Sequence, residues 1–261
     1  MLKSRVISGV LGAILLIAVV LSGVWPLRIG VALVSMLMVY ELFRAVKLEG
    51  FLLVPSMGIA AVLSLGIIPP QYFEVAVSLF LLVVMTSLLL QHKTMHISDA
   101  ALIFLCTLFI GSFMGCITKI RLLPQGSYWI WLVFIGAWVS DVCAYFTGRF
   151  FGKRKLIPAV SPKKTVAGAI GGAVGAAIGF LIFSAVFKAQ LGNIHVFVTG
   201  AAGLFVSACG QVGDLVASVI KRQHGIKDYG KIMPGHGGAM DRFDSVLFVA
   251  PAIYIYLLIA L

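Results

Sequence analysis

The chain has 261 residues, 61% of them hydrophobic and only 11% charged, with a formal net charge of +11. A water-soluble domain carries about 25% charged residues, so a soluble globular fold is excluded, and with so little polar surface so is a nucleic-acid-binding protein. Apolar runs of about 20 residues, each long enough to cross roughly 30 Å of hydrocarbon, recur along the chain; the class they dictate is an all-α polytopic transmembrane bundle.

In chain order the hydropathy predicts about nine spans, at 6–24, 28–43, 51–68, 73–90, 99–118, 128–148, 166–187, 195–220 and 244–261. Weaker boundaries around the second and third leave eight or ten as alternatives. The first apolar run follows Lys3 and Arg5, as in a signal peptide, but it is long for one and lacks a convincing small-residue cleavage site, so it is read as a span. Sixteen of the twenty Lys and Arg residues fall on one side of this arrangement, leaving Arg28, Lys119, Arg121 and Lys188 on the other. By the positive-inside rule the N-terminus is cytoplasmic, together with two polar loops at 149–165 and 221–243. Cys106, Cys116, Cys143 and Cys209 lie in or near spans without CxxC spacing and read as buried apolar side chains.

Residues 1–127 read as a transmembrane scaffold whose acids, Glu41, Glu49, Glu74 and Asp99, sit near span ends, where interfacial charge is ordinary. Residues 128–261, with the two cytoplasmic loops, read as the catalytic region. They contain no glutamate but five aspartates. Asp141 lies eight residues before the first basic loop and Asp214 seven before Lys221, so both sit about 12 Å inside a span at 1.5 Å per residue. A carboxylate at that depth costs several kcal/mol unless paired, hydrated or metal-bound, and marks a functional site by default; the structural alternative is an ion pair with a neighbouring Lys or Arg.

Asp214, Ser218, Lys221 and Arg222 follow i, i+4, i+7, i+8 spacing and share one helical face. Asp241 and Asp244 are three apart at the start of the last span. Carboxylate oxygens of this kind suit a hard divalent cation such as Mg²⁺, held by one or two acids plus substrate phosphates, with the Lys and Arg side chains on the phosphates. In the turn Pro234-Gly235-His236-Gly237-Gly238, the last two glycines let backbone N–H groups approach an anion closely. His236 serves either a phosphate or the loop itself, and Asp241 and Asp244 are alternatively helix caps. In the other loop, Ser161 and Pro162 precede Lys163, Lys164 and Thr165 at a helix start, a natural phosphate site that is not a Walker loop. For Lys153, Arg154 and Lys155 anionic lipid is the competing partner. Glycines spaced by four (Gly168 and Gly172; Gly171, Gly175 and Gly179) read as helix-packing positions.

These residues resemble the phosphatidate cytidylyltransferase (CDP-diacylglycerol synthase) family, whose signature runs Ser-x-x-Lys-Arg, Lys-Asp, Pro-Gly-His-Gly-Gly, Asp-Arg-x-Asp. Here those positions are Ser218, Lys221, Arg222, Lys227, Asp228, Pro234 to Gly238, Asp241, Arg242 and Asp244. The segments "SDVCAYFTGRFFGK" and "SPKKTVAGAIGG" are similar to further family motifs, with one departure: Ala167 stands where the family usually has Glu or Gln. The resemblance covers roughly 129–250. It implies transfer of the cytidylyl group of CTP to phosphatidate, giving CDP-diacylglycerol and pyrophosphate in phospholipid synthesis, at the cytoplasmic face of a bacterial inner membrane. It further implies a Mg²⁺ requirement, with room for a second cation, and a homodimer. Asp214, Asp241, Lys221 and Arg222 are the catalytic candidates. Ser218, Lys227, Asp228, His236, Gly237, Gly238, Arg242, Lys163 and Lys164 are the substrate-binding set, and Asp214, Asp241, Asp244 and Asp141 the metal set. Membrane lipid is the remaining partner. A cytidylyltransferase or kinase acting on another lipid acceptor is the nearest alternative. A cation or phosphate transporter is more distant, because the acids cluster on one side and no internal repeat is evident.

Overall fold

A computed structural model describes residues 2–192, 194–230 and 237–261, with side chains from residue 9 onward. Pro234, Gly235 and His236 therefore lie outside the described residues. Each predicted span falls on a helix. Seven helical segments are long and apolar enough to cross a membrane among the described residues, and the other two, Gly9–Leu21 and Leu53–Leu65, are shorter.

The chain divides into two compact units, 1–118 with 226–242, and 119–225 with 243–261; the divisions run through helices α5 and α11. The first unit holds α1 (Leu2–Leu21), α2 (Val24–Ala45), α3 (Leu53–Leu65), α4 (Pro70–Leu90) and most of α5 (Ile97–Leu122). Small residues let α5 press on α3: a Cβ on Gly111 would lie 2.9 Å from Ala60 Cα, and one on Gly115 would lie 2.8 Å from the Leu63 carbonyl oxygen. Thr118 Oγ1 donates to the Ser64 carbonyl at 2.8 Å beside them. Met38, Val39, Phe43, Val84, Ile103 and Ile110 are fully buried and form this unit's core.

The second unit begins with α6 (Gly126–Phe134), which passes through one π-helical turn (Ile135–Val139) into α7 (Ser140–Phe151). The wider turn sits immediately before Asp141, a place where such bulges recur beside functional residues. The sequence predicts a plain loop over 149–165. Instead α7 continues to Phe151 and a small hairpin follows, β1 (Lys155–Ile157) antiparallel to β2 (Ser161–Thr165), with Lys155 opposite Thr165. The physical reason is local. Gly152 ends the helix, and Thr165 is extended so that its hydroxyl caps α8 (Val166–Val186) by accepting from Gly168 N–H at 3.1 Å. A short α9 (Lys188–Leu191), α10 (Val196–Gln223) and α11 (Met240–Ala260) complete the chain.

The four-spaced glycines of α8 are spent on α7 within the same chain. A Cβ on Gly168 would lie 2.7 Å from the Ala144 carbonyl oxygen and one on Gly172 2.9 Å from that of Ser140, while Gly171 and Gly175 meet Thr147 and Cys143. That face is therefore occupied. The same device joins α10 to its neighbours: a Cβ on Gly203 would lie 2.8 Å from Ala177 Cα of α8, and one on Gly213 would lie 2.6 Å from the Asp244 carbonyl oxygen of α11. Cys106 and Cys116 are buried, Cys143 and Cys209 half-buried, and none of the four is in a disulfide.

Candidate active site

Within the second unit, the close approach at Gly213 sets Asp214 of α10 beside the start of α11. Asp244, 9% exposed, lies within electrostatic reach of Asp214, Lys221 and Asp141. One oxygen of Asp244 accepts from Ser245 N–H at 2.7 Å. Ser245 Oγ stands 3.4 Å from Asp141 Oδ2, a long contact that orients this acid of α7 toward α11. Asp141, Asp214 and Asp244, up to 103 positions apart in sequence, thus lie in one region of the second unit.

Beside them opens a cavity of about 550 Å³ whose wall includes Asp141 and Asp214, Arg149, Lys155, Lys163 and Lys164. Gly148, Gly168 and Thr165, which meet where α7 packs on the start of α8, also line it. Lys164 Nζ lies 2.6 Å from Asp214 Oδ2, with both side chains about a quarter exposed (25% and 27%). The sequence offered a structural ion pair as the alternative for Asp214; the pair is present, and its cation comes from the first basic loop. The other oxygen of Asp214 is 3.5 Å from Ser218 Oγ, as the i, i+4 spacing predicts. Arg222 is turned elsewhere, its Nε donating to the Val160 carbonyl at the tip of the hairpin at 3.4 Å. Lys163 is exposed.

Gln211, one turn before Asp214 on the same cavity wall, carries no signal in the sequence reading. Its Nε2 donates to the Ala169 carbonyl at 3.0 Å and to Ser207 Oγ at 3.1 Å. A backbone carbonyl can only accept, so this orientation of the amide is fixed, and the side-chain oxygen is the end left for the cavity. Ala167 lies two residues from that anchoring carbonyl.

In the first unit, Asp241 Oδ2 accepts from Tyr229 N–H at 2.8 Å and from Gly238 N–H at 3.0 Å. Gly237 has φ +84°, and a Cβ on it would meet Asp241 Oδ2 at 2.9 Å. The sequence reading gave these glycines to a bound anion; the anion their backbone accommodates here is the chain's own carboxylate. Lys227, Asp228 and Arg242 are exposed.

The donor set suits a hard divalent cation. Asp214 already holds the Lys164 ammonium group at one oxygen, and Asp141 and Asp244 add carboxylates nearby. Among the described residues no three His, Cys, Asp or Glu side chains form a closed metal cage.

A model of the cytidylyltransferase family matches residues 3–260. The chain is 38% identical to the phosphatidate cytidylyltransferase of Bacillus subtilis (strain 168), over 100% of this chain and 98% of that protein. It is 32% identical to the protein of that name from Staphylococcus aureus (strain COL), over 98% of this chain and 99% of the other. Against the Staphylococcus haemolyticus (strain JCSC1435) protein of that name it is 30% identical over the same shares.

Proposed function

The chain belongs to the cytidylyltransferase family, and from that premise we propose that it transfers the cytidylyl group of CTP to phosphatidate, forming CDP-diacylglycerol and pyrophosphate. A phosphate oxygen of phosphatidate forms the new bond to the α-phosphorus of CTP. The bond from that phosphorus to the oxygen bridging the α and β positions breaks, and pyrophosphate leaves with the electron pair. The nucleophile is already anionic, so no strong base is needed; the barrier is the approach of two polyanions, which alignment and fixed charge lower.

The observation that carries this reading is the cavity in which Lys164, Lys163, Lys155 and Arg149 surround two span-borne aspartates. In it the lysines and arginine bind and orient phosphates, and Lys164 exchanges its contact with Asp214 for the incoming triphosphate. Lys221, facing Asp244, counters charge on the leaving side. Asp214, Asp244 and Asp141 would hold Mg²⁺, which neutralises phosphate charge when bound. Asp241, Arg222, Lys227, Asp228, Arg242, Ser218, His236, Gly237 and Gly238 enter the proposal on their signature positions. We assign the transferase chemistry to residues 128–261 and place it at the cytoplasmic face of a bacterial inner membrane. The asymmetry of sixteen basic residues to four and the cytosolic origin of CTP support that placement.

The test is CTP turnover by the purified protein in detergent with phosphatidate and Mg²⁺, beside Asp214→Asn. CDP-diacylglycerol and pyrophosphate in equal amounts from the wild type, and a loss of about 100-fold or more in a folded variant, are the expected result, of the size seen when one electrostatic group is removed from an active site. A folded wild type that turns over only a different lipid acceptor overturns the substrate assignment.

A further inference from the structure

Glu41 reads in sequence as an ordinary interfacial acid, but it is 1% exposed. It sits one turn before the end of α2, and its Oε2 accepts from Met240 N–H at 2.8 Å, 199 positions away in sequence. The Ala239 amide lies within electrostatic reach of it as well. The first amides of a helix have no partner within the helix, and a negative charge there is favourable. Ala239, at the start of α11, has no side-chain oxygen to serve as a local cap, so the cap arrives from α2.

Two further observations show that this carboxylate is built in. A Cβ on Gly230 would fall on Glu41 Oε1, and one on Gly238 would fall on both oxygens. These two glycines leave the space the carboxylate occupies, and Gly238 belongs to the signature. Oε1 has no hydrogen-bond partner among the described residues, so the burial costs free energy that the contact with Met240 does not fully return. Asp241 holds the amides of Tyr229 and Gly238, while Glu41 holds that of Met240. Together they fix the backbone at Tyr229–Gly230 and at Gly238–Met240, directly before Asp241 and Arg242.

We propose that Glu41 is a positioning residue for the reaction: a buried acceptor on α2 that sets the start of α11 and thereby the placement of Asp241 and Arg242. The kinetic half of this inference rests on the transferase reading above; the structural half does not. Glu41→Asp keeps the charge but shortens the reach by one methylene, Glu41→Gln keeps the reach and one acceptor oxygen, and Glu41→Ala removes both. The full-length protein in detergent is followed by amide hydrogen exchange over 229–230 and 237–242, by melting temperature, and by kcat and KM for CTP and phosphatidate. Glu41→Asp and Glu41→Ala are expected to exchange about 10-fold faster in those segments than wild type and to lose about 10-fold in kcat, with KM for phosphatidate changed less than about twofold. Glu41→Gln is expected to restore protection and kcat to within about threefold. Wild-type exchange or wild-type kcat in a folded Glu41→Asp overturns the proposal, as does a set of variants that change only the melting temperature. If Glu41→Ala does not fold, the Asp and Gln pair decides. If the wild type does not make CDP-diacylglycerol, the transferase reading fails and the exchange data still judge the placement.

Discussion

Replacing Lys164 by methionine removes the cation that stands 2.6 Å from Asp214 Oδ2 while keeping most of the side-chain length. At that distance and an effective dielectric constant of about 20, the gross attraction is about 6 kcal/mol. The side chains are about a quarter exposed although Lys164 Nζ itself is buried, so lost hydration takes back most of it, and the net contribution to stability is about 1–2 kcal/mol. The effect on substrate is larger in ratio. A hydrogen bond from a charged donor to phosphate contributes about 1.5–3 kcal/mol, so kcat/KM for CTP should fall by about 10- to 150-fold at 1.36 kcal/mol per decade. Lys93→Met is the internal comparison. Lys93 is exposed, is not part of the cavity wall, and no ion pair is seen for it among the described residues, so its removal should stay within about threefold, near the ±0.5 kcal/mol of surface substitutions. The assay is pyrophosphate release against CTP concentration at fixed phosphatidate and Mg²⁺, with the melting temperature measured in parallel. Equal losses in the two variants, or an unchanged kcat/KM in folded Lys164→Met, would refute the assignment of Lys164 as the cation that Asp214 presents to the triphosphate.

Gly172→Val should lower the unfolding midpoint in detergent through about 1–3 kcal/mol of overpacking, since its Cβ would lie 2.9 Å from the Ser140 carbonyl oxygen and 3.0 Å from Ala144 Cβ; an unshifted midpoint would show that α7 and α8 separate freely. Thr165→Val keeps the shape against Gly148 and Gly152 but loses the 3.1 Å cap on Gly168 N–H, for about 0.5–2 kcal/mol, and Thr165→Ser should recover it. Chelation with EDTA should abolish turnover, and added Mg²⁺ should restore it with a higher half-saturating concentration in Asp244→Asn than in wild type. The same Mg²⁺ dependence in both would remove Asp244 from the metal set.

The α2 and α10 spans differ in how much of their role could be read in advance. On α10, the spacing of Asp214, Ser218 and Lys221 is a property of one helix, and 3.6-residue periodicity fixes which side chains share a face wherever the helix packs. The spans and the membrane class follow from hydropathy alone, because hydrocarbon leaves an isolated segment few structures besides a helix. The four-spaced glycines of α8 were equally legible as packing positions, though not the identity of their neighbour. Glu41 shows the opposite case. Nothing local separates it from Glu49 or Glu74, since its burial is created by residues 230 and 238–240 arriving from the far end of the chain.

Composition and local periodicity by themselves determined the helical membrane class and which side chains share one face of α10, because these depend on the transfer of short segments out of water and on helical geometry. Tertiary structure alone decided which cation meets Asp214, which helix the glycines admit, that Gln211 is anchored at the cavity wall, and that the start of α11 is capped from α2. Those outcomes depend on contacts between segments as many as 199 positions apart, where the energy comes from close packing and paired burial of polar groups that no single segment contains.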